Sequence, residues 1–152
     1  MAEEQAVSRD TIRAAWALAL CGFLPFAALA FALFLTGRGS ALTGLLADAF
    51  KMWSAILLSF LAGIRFGMVL DKAGMQPRQM AIPAAPSVVG WLSLFLPDVF
   101  CLPVLMVAYC AQGAWDSISA FRGEAPVWYG NLRIAMTLLV AAAHAVALAA
   151  IY

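Results

Sequence analysis

Charge is distributed along this chain in a way that leaves few possible folds. Four long stretches contain no Asp, Glu, Lys or Arg: residues 14–37 (24 residues), 79–97 (19), 99–115 (17) and 134–152 (19). A fifth, 52–70, carries Arg65 as its one charge. Each approaches the roughly 20 helical residues that, at ~1.5 Å rise, cross a ~30 Å hydrocarbon core. The chain is 65% hydrophobic and 11% charged, whereas soluble domains run nearer half and a quarter. The apolar stretches are continuous and Ala-rich instead of alternating, which excludes a transmembrane β-barrel. The predicted fold is all-α: one polytopic membrane domain over 1–152, five transmembrane helices in one bundle at about 14–35, 52–70, 80–96, 99–115 and 132–151, after a polar segment 1–13.

Lys/Arg asymmetry sets the expected orientation. With five spans, one side collects Arg9, Arg13, Arg65, Lys72, Arg78, Arg122 and Arg133, and the other Arg38 and Lys51. The N-terminus is therefore expected in the cytoplasm and the C-terminus outside. The N-terminal segment is acidic and followed by no convincing cleavage site, so the first apolar run is expected to remain as a span and the protein to sit in a bacterial inner membrane. A net charge of +1 gives no electrostatic case for nucleic acid. Cys21, Cys101 and Cys110 fall inside spans at spacings that match neither zinc ligation nor a disulfide framework.

Within the second span, Ser59, Gly63 and Gly67 recur every four residues and form one nearly straight groove. Such a groove lets a neighbouring backbone approach closely in lipid, and it is expected to seat another span of the same chain or, alternatively, a second copy. Arg65 lies ~200° from Gly63, on the opposite face, at a depth from which it could snorkel to the cytoplasmic surface or meet an acid or a lipid headgroup. Trp53 is expected as an outer interfacial anchor, and a loop is expected over 36–46 and over 71–80. Pro25, Pro83, Pro86 and Pro103 fall inside predicted spans, where proline removes a backbone hydrogen bond.

Polar residues inside spans are expensive in hydrocarbon unless paired. Tyr109, Gln112 and Asp116 share one face of the fourth span; Arg133, Thr137 and His144 share one face of the fifth. With Arg65 they form a candidate polar cluster in the inner half of the bundle. Two readings are open. Asp116 pairs with Arg65, Arg122 or Arg133 to fix the bundle, and His144 bonds a backbone group or Thr137; or the cluster lines a pocket for a headgroup, a quinone or a small hydrophobe. Catalytic templates fail: one histidine and no acid inside the bundle rule out a His-rich metal centre and a bis-His haem within one chain, and no nucleophile triad, phosphate loop or intramembrane Asp pair is present. No enzyme activity and no cofactor are expected.

Several phrases occur together in order. Gly22-Phe23-Leu24-Pro25-Phe26, the run Ala55 through Gly67, Pro86-Ser87 with Trp91, and Pro126-Val127-Trp128-Tyr129 followed by Leu132-Arg133 and Thr137-Leu138 resemble the domain-of-unknown-function family 3429. Its eukaryotic members are called transmembrane protein 69 and are mitochondrial. The span-two motif of that family is expected to read Gly-Gly followed by Trp-Gly, where this chain has Ala62-Gly63 and Phe66-Gly67. The tryptophan-rich sensory protein family has a similar size and span count, but its Pro-Pro and Trp-Asn motifs are absent. The resemblance implies a small multipass protein of bacterial inner and mitochondrial membranes, without a substrate. The expected role is non-enzymatic: an accessory or assembly subunit of a larger inner-membrane, bioenergetic complex, with other membrane subunits and lipids as partners. The alternative is binding or transport of a lipid, quinone or small hydrophobe through the inner-leaflet polar pocket.

Overall fold

The computed structural model describes residues 7–70 and 77–152. Among these residues the chain forms five helices: α1 (Arg9–Thr36), α2 (Ala41–Leu70), α3 (Pro77–Ser93), α4 (Asp98–Phe121) and α5 (Val127–Ile151). Local chemistry explains their ends. Ser8 caps α1, its hydroxyl accepting from the Thr11 amide at 3.1 Å, and this satisfies one of the orphan donors of a first turn. Proline precedes or opens α3, α4 and α5 at Pro77, Pro97 and Pro126, where a missing N–H costs nothing. After α4 the chain turns on Gly123, at φ +75°, a left-handed conformation that favours glycine.

Four helices are long and apolar enough to cross a membrane: α1, α2, α4 and α5. At ~1.5 Å per residue they extend roughly 36–45 Å. The third falls short of the five-span expectation. Its apolar part, Ala81–Ser93, rises only about 20 Å against a ~30 Å core. The charge-free count had given this span residues up to 96, but the helix stops at Ser93 and residues 94–96 form successive tight turns, with amides of Leu94, Phe95 and Leu96 donating to Trp91, Leu92 and Ser93.

The remaining boundaries are wider than charge counting suggested: α1 runs outward through exposed Arg9, Asp10 and Arg13, and α2, α4 and α5 extend past charges that are buried. Lys51, Asp116 and Arg133 ended the counted stretches, yet each is buried inside a helix. The loop expected over 36–46 shrinks to 37–40, and the connection after α4 to 122–126. The loop expected over 71–80 is already helical from Pro77; its residues 71–76, with Lys72 and Gly74, and the polar residues 1–6 lie outside the described residues.

Each helix packs on the next in sequence, and α1 packs on α5, which closes a ring of five. Across the ring, α2 also touches α4 and α5. The core is a column of Phe26, Leu33, Phe50, Leu58, Leu102, Leu105, Tyr109 and Val140. The outer face carries exposed Leu18, Phe31, Phe34, Phe60, Val107 and Leu138. An exposed apolar surface of this kind suits lipid and would be a liability in water. Pro25 is accommodated within a continuous α1; near it, the Gly22 carbonyl accepts the Trp53 indole N–H at 3.1 Å. Trp53 thus bonds to a neighbouring helix.

Candidate functional site

Arg65 sits one and a half turns before the end of α2, Asp116 at the matching level of α4, and Arg133 in the second turn of α5. Because α4 and α5 are joined by a short turn at that end, their polar positions face one another at one level of the bundle. Asp116 is 0% exposed and Arg65 and Arg133 are each 5% exposed. Arg133 Nε donates to Asp116 Oδ2 at 2.8 Å, and Arg65 Nη1 lies 3.5 Å from Oδ1. Gln112 Nε2 at 3.5 Å and the Tyr129 hydroxyl at 3.4 Å complete the carboxylate's surroundings. The second Arg65 nitrogen donates to Ser119 Oγ, and its guanidinium lies over the Trp115 ring, 4.4 Å from the centroid, a cation–π arrangement.

Arg65 therefore does not snorkel; it is answered by an acid, as one sequence reading had it. The exclusion of acids from the bundle interior was wrong, because Asp116 is the carboxylate on which both guanidiniums converge. One acid between two arginines leaves the trio with a net charge of +1. Charges at this depth cost several kcal/mol unless paired, and the pairing here is incomplete. Arg133 Nη2 and Arg65 Nε have no hydrogen-bond partner among the described residues, nor does Gln112 Oε1.

Tyr109 and His144, expected in the same cluster, form a separate node deeper in the bundle. His144 Nδ1 faces the Val140 carbonyl at 2.8 Å and Nε2 faces Ser54 Oγ at 2.9 Å. Since a carbonyl only accepts, Nδ1 carries a hydrogen. Tyr109 donates to the Ser54 carbonyl at 2.8 Å, and Phe26 and Phe50 pack on the imidazole with centroids 5.5 and 4.9 Å away. Both histidine nitrogens are engaged within the fold, so this node braces α1, α2, α4 and α5. Thr137 serves packing: its side chain fills the space left by Gly113, where a Cβ would lie 2.0 Å from Thr137 Oγ1.

The Ser59, Gly63, Gly67 groove is not the seat of a neighbouring span. Among the described residues nothing lies within 4 Å of where a Cβ would stand on Gly63 or Gly67, and both are exposed, with Ser59 half-buried. The close approaches are made at Gly113, Gly130 and Gly90. A second ion cluster marks the far end of α2: Lys51 pairs with Asp48 at 2.8 Å and with Asp98 at the start of α4. It stands roughly 21 Å along the helix from Arg65, so the two clusters bracket an apolar belt.

Sequence reasoning missed Ser54, Trp115, Ser119, Tyr129 and Gly113. Ser119 is recoverable in hindsight, three residues after Asp116 and hence on the same face. Tyr129 was placed in a connection because the fifth span was taken to start only at Leu132.

Beside the arginine cluster lies a cavity of 490 Å³ between α1, α2 and α5, within the range of about 300–1,000 Å³ typical of small-molecule sites. Its walls are apolar, including Leu18, Phe23, Phe60, Leu61, Ile64 and Met136, and its polar end is formed by Arg133, Trp128 and Tyr129. Trp128 Nε1 has no hydrogen-bond partner among the described residues. Among those residues no group of three or more His, Cys, Asp or Glu is placed to hold a metal.

A ring of helices, four of them able to cross a bilayer, around a buried Arg–Asp–Arg cluster defines a helical membrane protein. More particularly, the chain belongs to the family described as Protein of unknown function (DUF3429), which it matches over residues 11–149. No curated protein and no solved structure matches it.

Proposed function

We propose that this is a non-enzymatic, multi-pass membrane protein that holds a lipid, quinone or other small hydrophobe in the cavity between α1, α2 and α5. One observation carries the reading: a cavity of 490 Å³ with apolar walls that ends on a buried arginine. The cavity opens on the outer face at Leu18 and Phe60, so a hydrophobe can enter from the bilayer and pack on its apolar walls. The experiment is purification of the full chain in mild detergent followed by solvent extraction and mass spectrometry. A single enriched hydrophobe near one equivalent per chain is expected; only detergent and bulk lipid in membrane proportions would refute the reading.

A second reading, an accessory or assembly subunit of a larger inner-membrane bioenergetic complex, is favoured by the open Gly63 and Gly67 surface on α2. The same purification addresses it, since isolation as a bare monomer would count against a partner subunit. Both readings place the chain in a bacterial inner membrane with the Arg65 end of the bundle cytoplasmic, and align it with the transmembrane protein 69 branch of the family. In this topology α3 completes a fifth crossing, shielded by α2 and α4, on which it packs. Cysteines introduced at Ser40 and Arg122, in a background lacking Cys21, Cys101 and Cys110, would label from opposite sides; labelling from one side would overturn it.

A further inference from the structure

The cavity between α1, α2 and α5 ends on a buried arginine that belongs to a cluster of net charge +1, and from this we infer that its occupant is a single-chain amphiphile headed by a carboxylate. The inference rests on the hydrophobe-binding reading and specifies the chemistry of the head.

Arg133 is 95% buried by its 5% exposure, and its Nε is committed to Asp116 at 2.8 Å. Its Nη2, with two N–H groups, has no partner among the described residues. Trp128 Nε1, another cavity-lining donor, is likewise unpartnered. An indole N–H and a guanidinium nitrogen can only donate, so the molecule that satisfies them must accept. A buried donor without a partner carries a desolvation penalty, which an acceptor in the cavity removes.

Charge selects an anion over a neutral acceptor. The Arg65–Asp116–Arg133 trio carries +1, and a carboxylate beside Arg133 Nη2 brings it to zero. The helix terminus adds to this: α5 starts at Val127 with no acidic residue in its first turn and no side-chain cap, and its positive end lies next to Trp128. Charge-assisted bonds from a guanidinium to a carboxylate are about twice as strong as neutral ones. A quinone or alcohol head accepts without neutralising the cluster.

Size selects one chain. Counting a methylene as about the ~30 Å³ of a water molecule, 490 Å³ holds roughly sixteen groups. The lining residues from Trp128 to Val140 extend the cavity about 18 Å along α5, towards Phe26 and Leu57 at its apolar end.

The test is a scintillation-proximity assay on the purified full chain in detergent. Tritiated hexadecanoate is competed by unlabelled hexadecanoate, hexadecanol and methyl hexadecanoate. Saturable binding is expected, with the acid competing at a concentration about tenfold or more below the alcohol and the ester. Trp128→Phe, which keeps the ring and deletes the N–H, should weaken the acid about three- to tenfold and the alcohol by less, since a neutral acceptor loses the weaker bond. Arg133→Lys, which keeps the charge facing Asp116 and deletes the fork, should abolish the preference for the acid. Equal competition by acid and alcohol would overturn the carboxylate head while sparing the hydrophobe-binding reading. Absence of saturable binding by any of the three would overturn both. If Arg133→Lys does not fold, Trp128→Phe decides, and an unchanged acid affinity in that variant refutes the assignment.

Discussion

Asp116→Asn should be the most damaging single substitution in the arginine cluster, and the reason is arithmetic. The wild-type trio sums to +1; Asp116→Asn raises it to +2 while preserving shape, whereas Arg65→Gln or Arg133→Gln lowers it to 0 and leaves one matched pair. Deleting one partner of a buried ion pair costs about 3–5 kcal/mol because the other charge stays behind uncompensated, and Asp116, 0% exposed, leaves two behind. Arg133→Gln loses one close charge-assisted bond, at 2.8 Å, for about 1.5–3 kcal/mol. Arg65→Gln gives up a 3.5 Å contact together with the Trp115 stacking and the Ser119 bond, and should fall at the lower end of that range. Side-chain hydrogen bonds inside bilayers average only about 0.6 kcal/mol, because the unfolded state in the membrane also finds partners; this compresses the scale without changing the order. Denaturation in mixed micelles, followed by far-UV circular dichroism or steric trapping, measures it. Arg65→Gln added to Asp116→Asn should recover part of the loss, a coupling between contacting groups. If Asp116→Asn costs no more than either arginine substitution, the charge argument is wrong and the cluster is held by shape alone.

Gly113→Ala should destabilise by about 1–3 kcal/mol or prevent folding, since its Cβ would lie 2.0 Å from Thr137 Oγ1. Thr137→Ala in the same chain should restore part of the stability in the same denaturation assay, and independent effects would show that α4 and α5 do not meet there. Gly67→Leu meets nothing within 4 Å and should leave the monomer within about 0.5 kcal/mol of wild type. A partner subunit seated on that face would be displaced, which blue-native electrophoresis of solubilised membranes would register.

The helices were legible because each apolar run is long and uninterrupted, and a helix is the structure that satisfies its backbone within one segment. Their ends were misread wherever a charge was buried. Lys51, Asp116 and Arg133 look like the edges of spans until their partners are known, and the partners of Asp116 come from α2 and α5, fifty-one and seventeen positions away in the chain. Helical periodicity placed Gln112 with Asp116, and the convergence of Arg65 and Arg133 on this level followed from packing α4 against α5. Helical rise put His144 ~16 Å beyond Arg133, yet a shared face still grouped it and Tyr109 with the cluster, because residues on one face share a stripe whatever their depth. For the glycines, spacing proved a poor guide. Gly63 and Gly67 have the regular interval yet stand open, while the isolated Gly113 makes the close approach that Thr137 requires.

The imbalance of the cluster bears on why it is there. Replacing buried ion pairs by well-packed apolar residues is often neutral or stabilising, so stability gives little reason to keep two arginines on one aspartate. A second acid in place of Gln112, whose amide already reaches Asp116 at 3.5 Å, would balance the charge, and the chain does not have one at that position. The surplus charge is directed instead at the cavity, through the one arginine that lines it. The opposite wall belongs to α1, which contributes no side-chain hydrogen bond to the cluster and is joined to α2 by the Trp53 indole bond to the Gly22 carbonyl. An occupant of the proposed kind would touch α1, α2 and α5 at once and neutralise the charge that α4 leaves unmatched. On that proposal ligand binding and closure of the helix ring are coupled, and loss of the ligand should loosen α1 before any other helix.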